Sequence, residues 1–263
     1  MNRIVVLLLW CAASATAESN VGAPIVGVMR DTHRQLRPVY GVAGNFVLRA
    51  AIPKEALNWA FAGMGGGLMK TDAELLTLDS SGNVIGRRAA PRGDAVLSAG
   101  AAFFPGTSEL WLIGAHPDRR LRIEPEALGG DVVALGTPNG RHAPLAVCRG
   151  SRVWLVTVDV TSGDVTRETL APGAIGDQGC AGPLVWLDGN FLLATTRDLI
   201  VHAAAGDERH VPIAGGSHGA QLELHLAGDH WVQVEVAGSS PMLLHFSSDG
   251  EKLYRLPAAE ARR

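Results

Sequence analysis

Short runs in which apolar and polar residues alternate dominate this chain, for example residues 74–79, 152–159, 221–226 and 231–236. In residues 221–226 three leucines fall on one side, and Gln221, Glu223 and His225 fall on the other. This period of two is typical of a half-buried β-strand. Turn-forming residues bound the runs, and no long stretch repeats apolar residues with the helical spacing. The pattern predicts an all-β protein.

One strand–turn–strand pattern recurs along the sequence at residues 75–85, 156–166 and 243–253, with a looser copy at 201–207. Its turn glycines are Gly82, Gly163, Gly206 and Gly250, and the last three lie 43 and 44 residues apart. A repeat of 40 to 45 residues that contains about four strands is typical of β-propeller blades.

The repeat divides the chain into the units 57–89, 94–124, 131–170, 183–213 and 221–257. We expect antiparallel four-stranded blades, with one strand missing from unit 94–124. The shorter N-terminal stretch 24–48 would complete a sixth blade or close the ring by pairing with chain from the C-terminal end. Six blades are favoured and five are the alternative. A β-sandwich or jelly roll is a further alternative, but such folds rarely repeat one hairpin at a fixed interval.

The segment Leu-Val-Trp-Leu-Asp-Gly-Asn-Phe-Leu at 184–192 resembles the blade opening of TolB/YVTN-type propellers of exported bacterial proteins. Segments 24–31, 37–41 and 44–46 are also similar to the start of a group of secreted bacterial propellers. The resemblance implies a six-bladed ring. Propellers of this kind include binding, scaffolding and catalytic proteins, so the resemblance does not select a function.

The N-terminus has the three parts of a secretory signal peptide: Arg3, an apolar run over residues 4–13, and the small residues Ala15 and Ala17. The apolar run is shorter than the roughly 20 residues that a membrane-spanning helix needs. We expect cleavage near Ala17, a single propeller domain over residues 18–263, and a location in the periplasm or outside the cell.

Composition narrows the classes of partner. With 47% hydrophobic and 19% charged residues the chain is not disordered, and its formal net charge of −3 argues against nucleic acid or anionic lipid as partner. We expect a monomer. Signal cleavage would remove Cys11 and leave Cys148 and Cys180, which we expect to form a disulfide in an exported protein. The alternative is two buried free thiols.

Aligning the units places a polar residue before the first strand of several of them. These residues are Asp94, Asp131, Asp177 and, in the last unit, His218. In a propeller such connections surround one mouth of the central channel, where carboxylates could bind a ligand's polar groups or a cation such as Ca²⁺. The alternative is that Gly-Asp simply forms the turn. No other cofactor is indicated.

Two other patterns are weaker. Residues 215–219 match the G-x-S-x-G nucleophile elbow around Ser217, but a strand pattern rather than a helix pattern follows, which favours a loop. Six of the nine histidines lie between His202 and His245 without metal-ligand spacing, so we interpret them as separate surface and loop residues.

These observations favour a binding or scaffolding module for a protein, a glycan or a small ligand at the channel mouth. One alternative is a propeller enzyme of the lyase, lactonase or quinoprotein type that uses the carboxylate and histidine ring, with or without Ca²⁺. The other is a structural module of an envelope assembly.

Overall fold

The computed structural model describes residues 23–114, 118–171, 175, 180, 182–187, 189–195, 198–203, 206–213, 222–247 and 250–256. Within them the chain forms 23 strands, one 3-10 turn and one four-residue helix, α1 (Pro125–Leu128). The all-β prediction is therefore confirmed.

Most strands form four-stranded antiparallel meanders in chain order. The first of these four-stranded meanders consists of β4 (Asn58–Ala62), β5 (Gly66–Lys70), β6 (Glu74–Leu78) and β7 (Val84–Ala89). The next consists of β8 (Val96–Ser98), β9 (Ala101–Phe104), β10 (Glu109–Leu112) and β11 (Arg119–Arg122). It is followed by β12 (Asp131–Leu135), β13 (His142–Arg149), β14 (Arg152–Asp159) and β15 (Val165–Leu170). Unit 94–124 thus has all four strands, and the expectation that it lacks one is wrong.

Two further meanders complete this part of the chain. They consist of β16 (Leu184–Leu187), β17 (Asn190–Ala194), β18 (Asp198–His202) and β19 (Glu208–Pro212), and of β20 (Leu222–Gly228), β21 (Trp231–Val236), β22 (Met242–Ser247) and β23 (Gly250–Arg255). The recurring hairpin of the sequence joins the third and fourth strands of a meander in each case. Its glycines Gly82, Gly163 and Gly250 have φ of 79°, 84° and 108°, which non-glycine residues rarely adopt.

The number of blades was predicted wrongly. The inner strands β4, β8, β12, β16 and β20 follow one another around the axis, but β20 pairs in parallel with β4 through Leu226 and Ala60. This pairing merges the first and last meanders into one eight-stranded sheet. The propeller therefore has four sheets around its axis rather than six or five, because the spacing of turns does not reveal pairing between strands far apart in sequence.

The N-terminal strands also differ from expectation. Strands β1 (Ile25–Arg30), β2 (Leu36–Val42) and β3 (Asn45–Leu48) form a separate three-stranded sheet, and in the described part of the chain they pair with no other strand. Ring closure by these strands is thus not observed. Instead β1 packs against β4, β20 and β21, over the seam at the middle of the eight-stranded sheet where β20 pairs with β4.

The backbones of β1 and β20 approach each other so closely at this seam that two positions, Gly27 and Gly228, have no room for a side chain. A Cβ on Gly27 would lie 1.7 Å from the carbonyl oxygen of Ala227, and one on Gly228 would lie 2.2 Å from that of Val26. Only glycine permits β1 to lie so close to the end of β20.

Apolar side chains fill the spaces between neighbouring sheets. The largest buried cluster joins inner-strand residues such as Ala60, Leu97, Val185 and Leu226. Cys148 and Cys180 form the predicted disulfide, with a Cα–Cα distance of 5.9 Å, and link β13 to the chain that leads into β16. Among the described residues, no helix is long and apolar enough to cross a membrane.

Candidate ligand-binding site at the channel mouth

A cavity of about 460 Å³ lies between the five inner strands, near the residues at which most of them begin. Each inner strand contributes to its wall: residues 57–59 before and in β4, 94–97 at β8, 133–135 of β12, 183–186 at β16 and 223–226 of β20. A cavity of this size lies within the range of small-ligand sites, about 300 to 1,000 Å³.

Arg30, the last residue of β1, lies on the wall of this cavity and is only 2% exposed. The buried amide of Gln233 fixes its backbone: the Arg30 N–H donates to Oε1 at 2.7 Å, and Nε2 donates to the Arg30 carbonyl at 2.8 Å. The docking of β1 on β21 therefore determines where this guanidinium lies.

Two carboxylates hold the guanidinium of Arg30. Nε donates to Glu235 Oε1 at 2.9 Å and Nη2 to Glu235 Oε2 at 2.6 Å, and Nη2 also donates to Glu223 Oε2. Burial alone would lower the pKa of Arg30, but the hydrogen bonds and charges of the two glutamates outweigh it and raise that pKa.

The two glutamates face each other across the β20–β21 pair, in which Glu223 is directly opposite Glu235. Like charges in such a position repel, so a cation is needed between them, and Arg30 supplies it. The pKa of Glu223 is lowered to about 2, first by the hydrogen bond from His225 and further by the charge and hydrogen bond of Arg30, against the opposing effect of burial. Glu223 is therefore ionised at neutral pH.

His225 is buried beside Glu223 and stacks on Trp59 with ring centroids 3.8 Å apart. Both of its ring nitrogens lie near oxygen acceptors: Nδ1 is 3.0 Å from Asn58 Oδ1, and Nε2 is 3.3 Å from Glu223 Oε2. Burial lowers the pKa of His225 more than its carboxylate neighbours raise it. A neutral imidazole has one N–H and can donate to only one of these two oxygens.

Asn58 has a fixed orientation. Its Oδ1 accepts the Trp59 N–H at 2.8 Å, and its Nδ2 donates to the Ala95 carbonyl at 2.9 Å. Rotating the amide by 180° would break both bonds. The side chain thus links β4 to the chain entering β8 and presents an acceptor to His225.

A smaller cavity of about 230 Å³ adjoins the first and shares Arg30, Arg34 and Glu223 with it. Arg34 lies at the tip of the β1–β2 turn with φ of 61°, an uncommon conformation for arginine. Asp31 fixes this turn by accepting the N–H groups of His33 and Gln35 at 2.8 and 3.0 Å. The turn thereby holds a charged side chain at the rim of both cavities.

The structure locates two of the four predicted site residues. Asp94 is exposed and lies on the wall of the larger cavity, and its part in ligand binding stays a prediction. Asp131 is exposed at the start of β12, where it is not part of the cavity lining. Asp177 and His218 lie outside the described residues, as does Ser217, so the grouping of the four stays a prediction.

No group of three or more His, Cys, Asp or Glu side chains that could hold a metal ion occurs in the described ranges. Because Asp177 and His218 are not included there, binding of Ca²⁺ by the predicted ring also stays a prediction.

Sequence reasoning missed the polar cluster itself, which consists of Arg30, Asn58, Glu223, His225, Gln233 and Glu235. The interpretation of the clustered histidines as surface residues is wrong for His225 and His202, which are 7% and 3% exposed. Part of the signal was present: residues 221–226 and 231–236 both alternate, which puts Glu223 and Glu235 on the polar sides of neighbouring strands. They face each other because of a β-bulge between Leu226 and Gly228, which the sequence did not reveal. Two facing carboxylates require a cation, although the sequence does not say which one.

The fold and the site together define a β-propeller with a charged, ligand-sized cavity at its channel mouth. The sequence matches no protein-family model and no curated protein. Solved structures similar to it include Kluyveromyces lactis Hsv2 (TM-score 0.41, 9% identity, 88% of this chain and 81% of that one). Another is a catalytically inactive virginiamycin B lyase from Staphylococcus aureus with quinupristin (TM-score 0.43, 10% identity, 90% and 83%). A third is BBS1N in complex with ARL6DN (TM-score 0.42, 10% identity, 88% and 87%). At these values the likeness carries no inference about function, and the propeller architecture follows from the strand pairing of this chain.

Proposed function

We propose that this protein is a binding module that takes a small ligand at its channel mouth, and that it acts in the periplasm or outside the cell. Support for export comes from the signal-peptide pattern in residues 1–17. The observation that carries the binding function is the cavity of about 460 Å³ with Arg30, Glu223 and His225 on its wall.

Burying these charged groups costs free energy of folding, and a role in binding would explain why they are placed here. A surface ion pair contributes little to stability, and a buried one often contributes no more than an apolar replacement would. Arg30 is 2% exposed, yet it lies on the wall of a cavity, where a ligand can reach the groups that hold it. Ligand sites commonly combine an apolar wall with a few fixed polar groups.

The test is a ligand-observed NMR screen of the purified protein with mixtures of neutral sugars, amino acids, organic acids and nucleosides. We expect at least one compound to bind, and Trp186→Ala and Asp94→Asn to weaken its binding at least tenfold. Both residues line the cavity. Trp154→Ala and Glu168→Gln are matched controls, because neither residue lines it. Absence of binding in every class, or binding that the cavity variants leave unchanged, would contradict the proposal.

A second candidate function rests on the His225–Glu223 contact of 3.3 Å. A histidine and a carboxylate within hydrogen-bond distance in a cavity can transfer protons, so the site could belong to a propeller enzyme. Turnover of a bound compound that Glu223→Gln abolishes, while its binding remains, would favour the enzyme over the binding module.

A further inference from the structure

Arg30 keeps one side of its guanidinium free. Its hydrogen bonds within the described residues come from Nε and Nη2, and Nη1 makes none. Nη1 is also not among the fully enclosed polar atoms that lack a partner there, which are Trp59 Nε1, Ser98 Oγ and His202 Nε2. Arg30 lines both cavities, and Nη1 is the nitrogen of its guanidinium whose two N–H donors are left for a ligand there.

Glu223 offers the complementary group. Within the described residues both Arg30 and His225 contact its Oε2, and Oε1 accepts no hydrogen bond. Its side chain is 38% exposed and lines the same two cavities. A donor and an acceptor therefore lie side by side on this part of the wall.

The charges decide which ligand group fits this pair. One guanidinium faces two carboxylates, Glu223 and Glu235, so an anionic ligand group would approach a net negative cluster. A hydroxyl group can accept from Arg30 and donate to Glu223 without bringing a charge into the cavity. Arg34 and Asp94 line the same cavity and add a further donor and a further acceptor to its wall.

Another part of the cavity wall is apolar and includes an indole ring. Leu97, Val133 and Val185 line it together with Trp186, whose ring packs on Phe191 with centroids 4.7 Å apart. A half-buried tryptophan supplies a rigid flat surface for the apolar face of a ring.

We propose that the channel mouth binds the hydroxylated ring of a neutral carbohydrate, an assignment that rests on the proposed binding function. Adjacent ring hydroxyls bond to Arg30 and Glu223, and the C–H face of the ring packs on Trp186. A ring with several hydroxyls satisfies both kinds of wall at once.

Isothermal titration calorimetry tests this with glucose, N-acetylglucosamine, cellobiose and chitobiose. Citrate, lysine and adenosine represent the anionic, cationic and aromatic alternatives. We expect a saccharide to bind, and we expect Glu223→Gln, Asp94→Asn and Trp186→Ala each to weaken it at least tenfold. Glu168→Gln and Trp154→Ala should change the affinity less than twofold, and circular dichroism checks that each variant is folded.

Three results would overturn the proposal: no saccharide binds, a saccharide binds equally well to the cavity variants, or only a charged or aromatic compound binds. In the third case a compound whose affinity depends on the cavity residues leaves the proposed binding function intact and removes only the carbohydrate assignment. If Glu223→Gln does not fold, Asp94→Asn and Trp186→Ala decide, since Asp94 is exposed and Trp186 is half-buried.

Discussion

Replacing Arg30 by methionine is the sharpest test of how the channel mouth is held together. The substitution keeps an unbranched side chain about as long as the aliphatic part of arginine and removes the charged guanidinium. It leaves Glu223 and Glu235 directly opposite each other in the β20–β21 pair, with no cation between them. Both the lost attraction and the new repulsion destabilise the folded state.

The structure sets the size of the effect. Removing one partner of a fully buried ion pair costs about 3 to 5 kcal/mol. Here the guanidinium is buried, but the side chains of Glu223 and Glu235 are 38% and 23% exposed, so water can solvate them again. We therefore expect a loss of about 2 to 3 kcal/mol in the free energy of unfolding.

Urea denaturation at pH 7, followed by circular dichroism, measures this loss. Arg141→Met is the matched control: Arg141 pairs with Asp159 at 2.8 Å but is 68% exposed, so the expected loss is below about 1 kcal/mol. The triple variant Arg30→Met with Glu223→Gln and Glu235→Gln should regain at least half of the lost stability, because it removes the unpaired charges. A loss below about 1 kcal/mol for Arg30→Met, or a triple variant no more stable than the single one, would refute this account of the cluster.

Three further changes test other parts of the structure. Removing the disulfide by Cys148→Ser with Cys180→Ser should cost about 3 to 4 kcal/mol in urea denaturation, since it closes a loop with a sequence separation of 32. Gly27→Ala should lower the melting temperature strongly because its Cβ would meet the Ala227 carbonyl, whereas Gly106→Ala, with open space around it, should not. Folding lowers the pKa of His225 below its usual value of 6.5 and the pKa of Glu223 from 4.5 to about 2. Each group therefore contributes stability at pH values above its unfolded-state pKa and loses it as the pH falls. Stability should therefore fall with pH below 6.5 and again between 4.5 and 2, and the second loss should be smaller in Glu223→Gln.

Local sequence signals predicted the local parts of the fold. Alternation identified strands such as β14 and β20, and positive-φ glycines such as Gly163 and Gly250 located the repeated hairpin. Both signals depend on residues close together in sequence, so they can be recognised without knowledge of the tertiary fold. The pairing of Leu226 with Ala60 cannot be recognised in this way, because it depends on how the whole ring closes. The blade count failed for this reason.

The candidate site shows the same division. The repeat predicted a place near the mouth for Asp94, which lines the larger cavity, and its role there stays a prediction. Arg30 could not be assigned, since it meets its partners across sequence separations of 193 and 205 residues. Alternation indicated that Glu223 and His225 share the polar side of a strand, but it did not show that this side is buried against Trp59.

The polar cluster has a structural task as well as a place on the cavity wall. Arg30 comes from β1, Glu223 and His225 from β20, and Asn58 and Trp59 from β4, so the cluster spans the seam at which the first and last meanders join. Within the described residues, β-strand pairing at the seam consists of the one pair Leu226 and Ala60. Side chains add links that the backbone does not supply. Asn58 of β4 contacts His225 of β20, and Arg30 bonds to Glu223 of β20 while its guanidinium lies 5.1 Å from the centroid of the Trp59 ring of β4. A ligand held by Arg30 and Glu223 would therefore bind beside the seam between the first and last meanders, and we expect its binding to stabilise the folded protein.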